Sequence, residues 1–327
     1  MRITKETLIR IAKETAMKRA FSDRELVAAY LTGSLRTENP FLGGATDIDL
    51  VFVHANKPKV RREIVPVTPE IHLDITHHPR TDYDKPKELR VHPRLGPELY
   101  DPLPLHVTQH FFEFVQAGVR DKFHEPVNVL ARARKAAEES RQIWSGLQSS
   151  PASGPDLLLA YLEGVRLAAD AVALLTGGPL AERRFLLQFP SRAEAAGAPE
   201  LAESLLGMLG ADEADAGSLK ACLAAWEKDF AAATGRPRVE ARIAAPRLAY
   251  YKLAAESMLA SESPQAILWP LLLTWTLAAQ SLPPARQAAW ESACKGLGLI
   301  GAGFEEKAAG LDHFLDFVEE MLEKAPA

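Results

Sequence analysis

The sequence predicts an α+β head, a small mixed sheet with helices, at the N-terminus, followed by a mostly α-helical bundle. Three observations carry this. Short apolar runs rich in β-branched and aromatic residues recur through the first hundred residues (LVAAYL 26–31, IDLVFVH 48–54, EIHLDITH 70–77), the texture of core strands. Beyond about residue 104 the chain is alanine-rich and helical in pattern, broken at irregular intervals by Gly, Pro and Ser. And the second apolar run opens with two aspartates, a cost that a core strand does not normally bear. At 327 residues the chain is long enough for two domains, expected at 1–103 and 104–327.

In chain order, residues 4–20 place Leu8, Ile11, Ala12 and Ala16 at helical spacing behind Thr4, an N-cap residue type. LVAAYL is a strand that runs into a turn at Gly33. IDLVFVH and EIHLDITH are strands, and REIVPVT (62–68) pairs with the latter through a turn at Pro69, restricted to a sheet edge by Pro66. Pro-rich connectors from residue 86 then lead into a bundle of about eight to ten helices of ordinary globular length. Its breaks fall at 149–156, 176–179, 197–199, 234–237, 261–264 and 281–284, without a fixed repeat period.

The stretch GSLRTENPFLGGATDIDL (33–50) holds the chemistry. Strand alternation puts Asp47, Asp49 and Val51 on one face and Ile48, Leu50 and Phe52 on the other. The two carboxylates then stand about 6.5–7 Å apart along the strand, close enough to share a hard cation. In EIHLDIT the same alternation sends Ile71, Leu73 and Ile75 inward and His72, Asp74 and Thr76 outward, so neighbouring strands would join Asp74 to a three-carboxylate cluster. Oxygen ligands with positions open to water and phosphate suit Mg²⁺. Gly33 permits close backbone approach to an anion, and Ser34 adds a hydroxyl and an N–H, as phosphate-holding turns do. Carboxylates for a metal beside a phosphate grip are the parts of phosphoryl or nucleotidyl transfer.

Gly-Ser, a spacer of 12 residues (35–46) and then Asp-Ile-Asp-Leu resembles the signature of the DNA polymerase β-like nucleotidyltransferase superfamily. Within it, LGGATDIDLVFV and RLGPELYDPLP (94–104) look most like the aminoglycoside nucleotidyltransferases, which join such a head to an all-helical domain. The resemblance covers about the first hundred residues. It implies a Mg²⁺-dependent transfer, with two ions, of a nucleoside monophosphate from a triphosphate to an acceptor hydroxyl, pyrophosphate leaving. ATP is the expected donor and the acceptor is a small hydroxylated molecule, aminoglycoside-type antibiotics among those it admits. Asp47 and Asp49 are then metal ligands, Gly33, Ser34 and Arg36 hold the nucleotide, and Asp74 binds metal, takes the acceptor proton, or does both.

A different class of function, a nucleotide-binding regulatory or antitoxin-like module, is disfavoured by the more than 200 residues spent on helices, which read instead as an acceptor site or a homodimer surface. Transfer to a protein or an RNA end is a third reading. A net charge of −5 argues against a long nucleic acid as partner. No GxxxxGK[ST], GxSxG or GxGxxG motif is present, which removes the common rival nucleotide and hydrolase classes. Two distant cysteines, a charged start without an apolar leader and a longest apolar run of 14 residues (266–279) lead to the expectation of a cytoplasmic protein without membrane spans. His77 and His78, before Pro79, read as solvent-facing, and His72 as a neighbour of the site or a structural residue, since no zinc-type spacing accompanies it. Glu98, Asp101 and Glu113 are acidic groups available to a cationic acceptor. Arg183 and Arg184 are basic ones available to phosphate, and the tryptophans read as bundle packing.

Overall fold

The computed structural model describes residues 3–108, 110–149, 153–236 and 239–325. Its elements are α1 (Lys5–Ser22), β1 (Leu26–Leu31), β2 (Thr46–His54), β3 (Arg62–Thr68), β4 (Ile71–Pro79), α2 (Pro86–Arg90), α3 (Leu95–Tyr100), β5 (Leu103–Val107) and α4 (Phe111–Arg120). There follow α5 (Pro126–Ser149), α6 (Gly154–Ala173), α7 (Phe185–Ala195), α8 (Leu201–Met208), α9 (Ala216–Thr234), α10 (Arg247–Leu259), α11 (Leu268–Ser281), α12 (Ala288–Gly296) and α13 (Phe304–Lys324). The chain divides into two compact units between Asn128 and Val129.

In the first unit the five strands are ordered β3-β4-β2-β1-β5. Only β2 and β4 pair in parallel; the other neighbours are antiparallel, so the sheet is mixed. β3 is the edge strand, as Pro66 requires, and its register slips between Pro66 and Thr68. Thr4 caps α1, its hydroxyl accepting the Thr7 N–H at 3.4 Å. α1 lays Leu8, Ala12 and Ala16 against Ile48, Leu50, Phe52, Leu73 and Ile75. The small alanines bring helix and sheet close. The opposite face is packed where Ala28, Tyr30, Val51 and Val53 meet Phe112, Val115 and Val119 of α4. Asp47 and Asp49 lie further toward the start of β2 on that same face.

The first unit extends past the expected boundary at 103. LPLHV forms β5 against β1, and α4 supplies the second apolar layer, so residues 104–128 belong to the head rather than to a helical domain. Pro104 disguises β5 among the Pro-rich connectors. An edge position tolerates it.

Among its described residues the second unit holds α-helices and short 3-10 turns but no strand; α5 to α13 are nine α-helices, and α4 before them, in the first unit, makes ten beyond residue 104. Residues 150–152 of the expected break at 149–156, and Pro237 of that at 234–237, lie outside the described residues. α11 is the apolar run singled out in the sequence, and nearly all its side chains are buried. Pro270 falls in its first turn, where its missing N–H costs nothing. Trp226, Trp269, Trp275 and Trp290 are buried packing residues. The indoles of Trp226 and Trp290 donate to the hydroxyls of Thr274 and Thr276, at 2.9 and 3.1 Å. No helix among the described residues is long and apolar enough to cross a membrane.

Candidate metal centre

The sequence before β2 explains how its carboxylates are aimed. Gly43 and Gly44 both have positive φ (+60° and +79°), and Leu42 and Ala45 exchange backbone hydrogen bonds at 3.0 and 3.2 Å around them. That is a two-residue turn of the kind a Gly-Gly pair makes without strain. It delivers the chain into β2 with Thr46 and Asp47 buried. β4 runs alongside in parallel, with Asp47 opposite His72, Ile48 opposite Leu73, Asp49 opposite Asp74 and Leu50 opposite Ile75. In-register residues of paired strands share a face. Four polar side chains therefore occupy the corners of a rectangle about one strand spacing wide and two residues long.

Three of the four converge. Asp47 (5 % exposed), His72 (0 %) and Asp74 (3 %) each bring one ligand atom within 4.8 Å of the others. The expected cluster was three carboxylates. All three lie on one face, but the group that closes up contains an imidazole in place of Asp49. Asp49 is half-buried and turned toward Gly33, where a Cβ would stand 1.8 Å from its Oδ2. The Thr32 N–H donates to the Asp49 carbonyl at 3.0 Å, which draws the turn over this residue.

Asp74 also holds a cation of the protein's own. Arg62, the first residue of edge strand β3, donates from Nε and Nη2 to its two carboxylate oxygens at 2.7 and 2.6 Å. A bidentate guanidinium–carboxylate pair of this kind fixes direction as well as charge. A carboxylate offers about four acceptor sites over its two oxygens, so a guanidinium can orient Asp74 and other groups can still approach it.

Residues 33–36 form a single 3-10 turn. Gly33 has φ +69°, a conformation that favours glycine. The Ser34 hydroxyl meets that of Thr46 at 3.0 Å, and its carbonyl accepts from the Thr37 N–H and hydroxyl at 2.9 and 2.7 Å. Arg36 reaches Asp101, Nη2 to Oδ2 at 2.8 Å and Nε to the backbone carbonyl at 3.2 Å. Gly33 thus stands beside Asp49 and Ser34 beside Thr46, while Arg36 is tied to Asp101, one of the acidic groups available to a cationic acceptor. A second such group, Glu98, accepts from the Tyr30 hydroxyl at 2.8 Å, and burial pushes its carboxyl up. Glu113 is solvent-facing near His110.

Two sequence readings are corrected. His77 is buried and His78 half-buried, rather than solvent-facing. His77 Nδ1 bonds His54 Nε2 at 2.8 Å and its Nε2 lies 2.8 Å from Glu63; His78 Nδ1 bonds the Tyr83 hydroxyl at 2.7 Å. Desolvation lowers the pKa of His54, His77 and His78 alike. Within the second unit Arg183 is no open phosphate ligand: it is buried, its guanidinium 3.4 Å over the Tyr250 ring, and donates to the Tyr250 carbonyl at 3.0 Å.

Sequence reasoning overlooked Arg62 as a partner of the site and set His72 aside as a neighbour. Alternation already places His72 on the correct face; the parallel register opposite Asp47 is what brings it into the group that could hold a metal ion. Arg62 could have been found from the edge hairpin, which returns its first residue to the rung next to Asp74.

No protein-family model matches the chain, and no curated protein is detectably similar to it. Its chemistry therefore rests on the geometry: buried carboxylates with an imidazole on adjacent strands, next to a glycine turn. Such a donor set fits a divalent cation.

Proposed function

We propose that this chain is a metal-dependent nucleotidyltransferase of the polymerase β-like type, moving a nucleoside monophosphate, from ATP as the expected donor, to the hydroxyl of a small acceptor. The observation that carries the reading is Asp49 on β2 with Asp74 directly across on parallel β4, Asp47 on the same face two residues earlier, beside the Gly33 turn. Asp47 and Asp49 hold Mg²⁺, two ions in the full complex. The ions, when bound, neutralise the triphosphate and the charge that develops on it. Gly33 and Ser34 offer the triphosphate an approach without a Cβ in the way, and Arg36 exchanges Asp101 for phosphate. Asp74, held in direction by Arg62, faces the reacting end.

Calorimetric titration with ATP, GTP, CTP and UTP, in Mg²⁺ and in chelator, tests this beside the double variant Asp47→Ala/Asp49→Ala. Metal-dependent binding of one triphosphate, lost in the variant, is expected. Pyrophosphate release on adding hydroxylated acceptors follows. A folded wild type that binds none of the four triphosphates sinks the proposal.

A further inference from the structure

We propose that the site takes a first-row transition-metal dication through Asp47, His72 and Asp74, with the His72 imidazole as a direct ligand. The inference deepens the reading just given, since it concerns the same face of the sheet, but metal binding at these residues requires no nucleotide.

The donor set is the reason. An all-oxygen pair such as Asp47 and Asp49 suits Mg²⁺, which binds carboxylate and water and retains much of its hydration. Asp47, His72 and Asp74 form another set: two carboxylates and a nitrogen, each more than nine-tenths buried, with ligand atoms within 4.8 Å of one another. Imidazole shifts preference toward Fe²⁺, Ni²⁺ and Zn²⁺, while the two carboxylates still admit Mn²⁺, which serves as the paramagnetic probe. Asp47 belongs to both sets. The face therefore offers two cation positions of unlike chemistry, hinged on one shared carboxylate.

The surroundings fit a ligand set. The two strands that carry it are locked rung by rung from Thr46–Ile71 to His54–Pro79, so the three side chains issue from rigid backbone. Arg62 forks onto Asp74 from outside, and metal-ligating carboxylates are commonly held by such a hydrogen-bonding partner, which fixes their direction. His72 lies across from Pro66 on β3 and Asp47 on β2, at the interior of the sheet, where an imidazole is not a solvent-exposed surface residue. Asp49 turns toward Gly33, so the third ligand atom of the close group is the nitrogen of His72 from its own corner opposite Asp47.

The probe is Mn²⁺ alone, with the full chain and no nucleotide. Loss of the free Mn²⁺ paramagnetic resonance signal counts binding, and spin-echo modulation from ¹⁴N reports whether an imidazole is coordinated. The expected result is one bound Mn²⁺ with ¹⁴N modulation, retained against a tenfold excess of Mg²⁺. In His72→Gln the modulation disappears and affinity falls by at least about tenfold, since losing even an outer-shell partner of a ligand costs on that order. Mn²⁺ bound without ¹⁴N modulation in the wild type overturns the proposal, and needs no variant to be folded. So does a folded His72→Gln protein that keeps the modulation, or a wild type that binds no Mn²⁺. Calorimetry with Mg²⁺ and triphosphate on the same samples reads the nucleotide proposal separately, so either can fail while the other stands.

Discussion

Gly33→Ala tests whether the glycine turn is built around Asp49. The new methyl carries two separable penalties. Gly33 has φ +69°, and an L-residue held there costs roughly 1–2 kcal/mol. The methyl would also stand 1.8 Å from Asp49 Oδ2, 2.6 Å from its Cγ and 3.0 Å from its Cβ. Rotating the carboxylate clears the first contact and leaves the stem in the way, so the turn or Asp49 itself must shift, at about 1–3 kcal/mol for overpacking of this kind. Gly44→Ala is the control: its φ is +79°, and nothing lies within 4 Å of the added methyl. It meets the conformational penalty alone. Native-state amide exchange across β2 and β4 measures opening of the first unit by itself. Gly44→Ala should speed exchange by about five- to thirtyfold, the equivalent of about 1–2 kcal/mol. Gly33→Ala should exceed about thirtyfold, the two costs together passing about 2 kcal/mol. It should also weaken Mg²⁺–triphosphate binding at least tenfold, a loss that Gly44→Ala does not share. Equal exchange and equal nucleotide binding in the two variants would refute the idea that Gly33 is required by the closeness of Asp49.

Two further outcomes follow from the same unit. Arg62→Ala removes the bidentate partner of a carboxylate that is 3 % exposed, and should cost about 3 kcal/mol, the low end for breaking a buried pair because Arg62 itself is partly exposed. Exchange along β4 reads it; a cost below 1 kcal/mol would show that Asp74 does not depend on Arg62. The second concerns acid. Burial lowers the pKa of His54, His77 and His78, so folding favours their neutral forms and the unfolded chain binds more protons below the ordinary imidazole value near 6.5. Stability of the first unit therefore falls as pH drops through that value toward the lowered ones. Glu98, whose pKa is raised, works in the other direction: its stabilising share is lost as pH rises through its folded value. With three imidazoles against one carboxyl, exchange corrected for its intrinsic pH dependence should quicken between pH 7 and 5.5. His77→Gln should flatten that slope by up to about 1.4 kcal/mol per pH unit, one proton's share. An unchanged slope would remove His77 from the account.

What could be read from the sequence follows the range of the interaction that fixes it. α1 with its Thr4 cap, the bounds of β1 and β3, and the split of β2 into an Asp47/Asp49/Val51 face and an Ile48/Leu50/Phe52 face all depend on residues within a few positions of one another. The extent of the head was not legible in that way. β5 is a strand because β1 has an open edge to receive it, and Pro104 gives no local sign of this. His77 was misread for a similar reason. By sequence it stands at the end of an apolar run two residues before a proline; β4 continues through Pro79, and its neighbours His54, Phe52 and Glu63 show that it is interior.

The donor set of the candidate metal centre is the sharpest case, because it depends on register rather than on any motif. Asp-Ile-Asp places two carboxylates on a face whatever lies beside it. Which groups meet them is decided by Ile48 against Leu73 and Leu50 against Ile75, the apolar pairs that lock β2 to β4 over α1. A slip of one residue would turn His72 and Asp74 into that apolar core and is excluded by its cost. A slip of two would preserve the apolar pattern and set Asp74 opposite Asp47, making the group all-oxygen. The observed register instead sets His72 there, and Arg62 reaches Asp74 from the third strand. The packing on the α1 side of the sheet thus selects the chemistry on the other side. Whether the candidate site offers oxygen alone or oxygen and nitrogen is decided by isoleucines and leucines on the opposite face of the sheet.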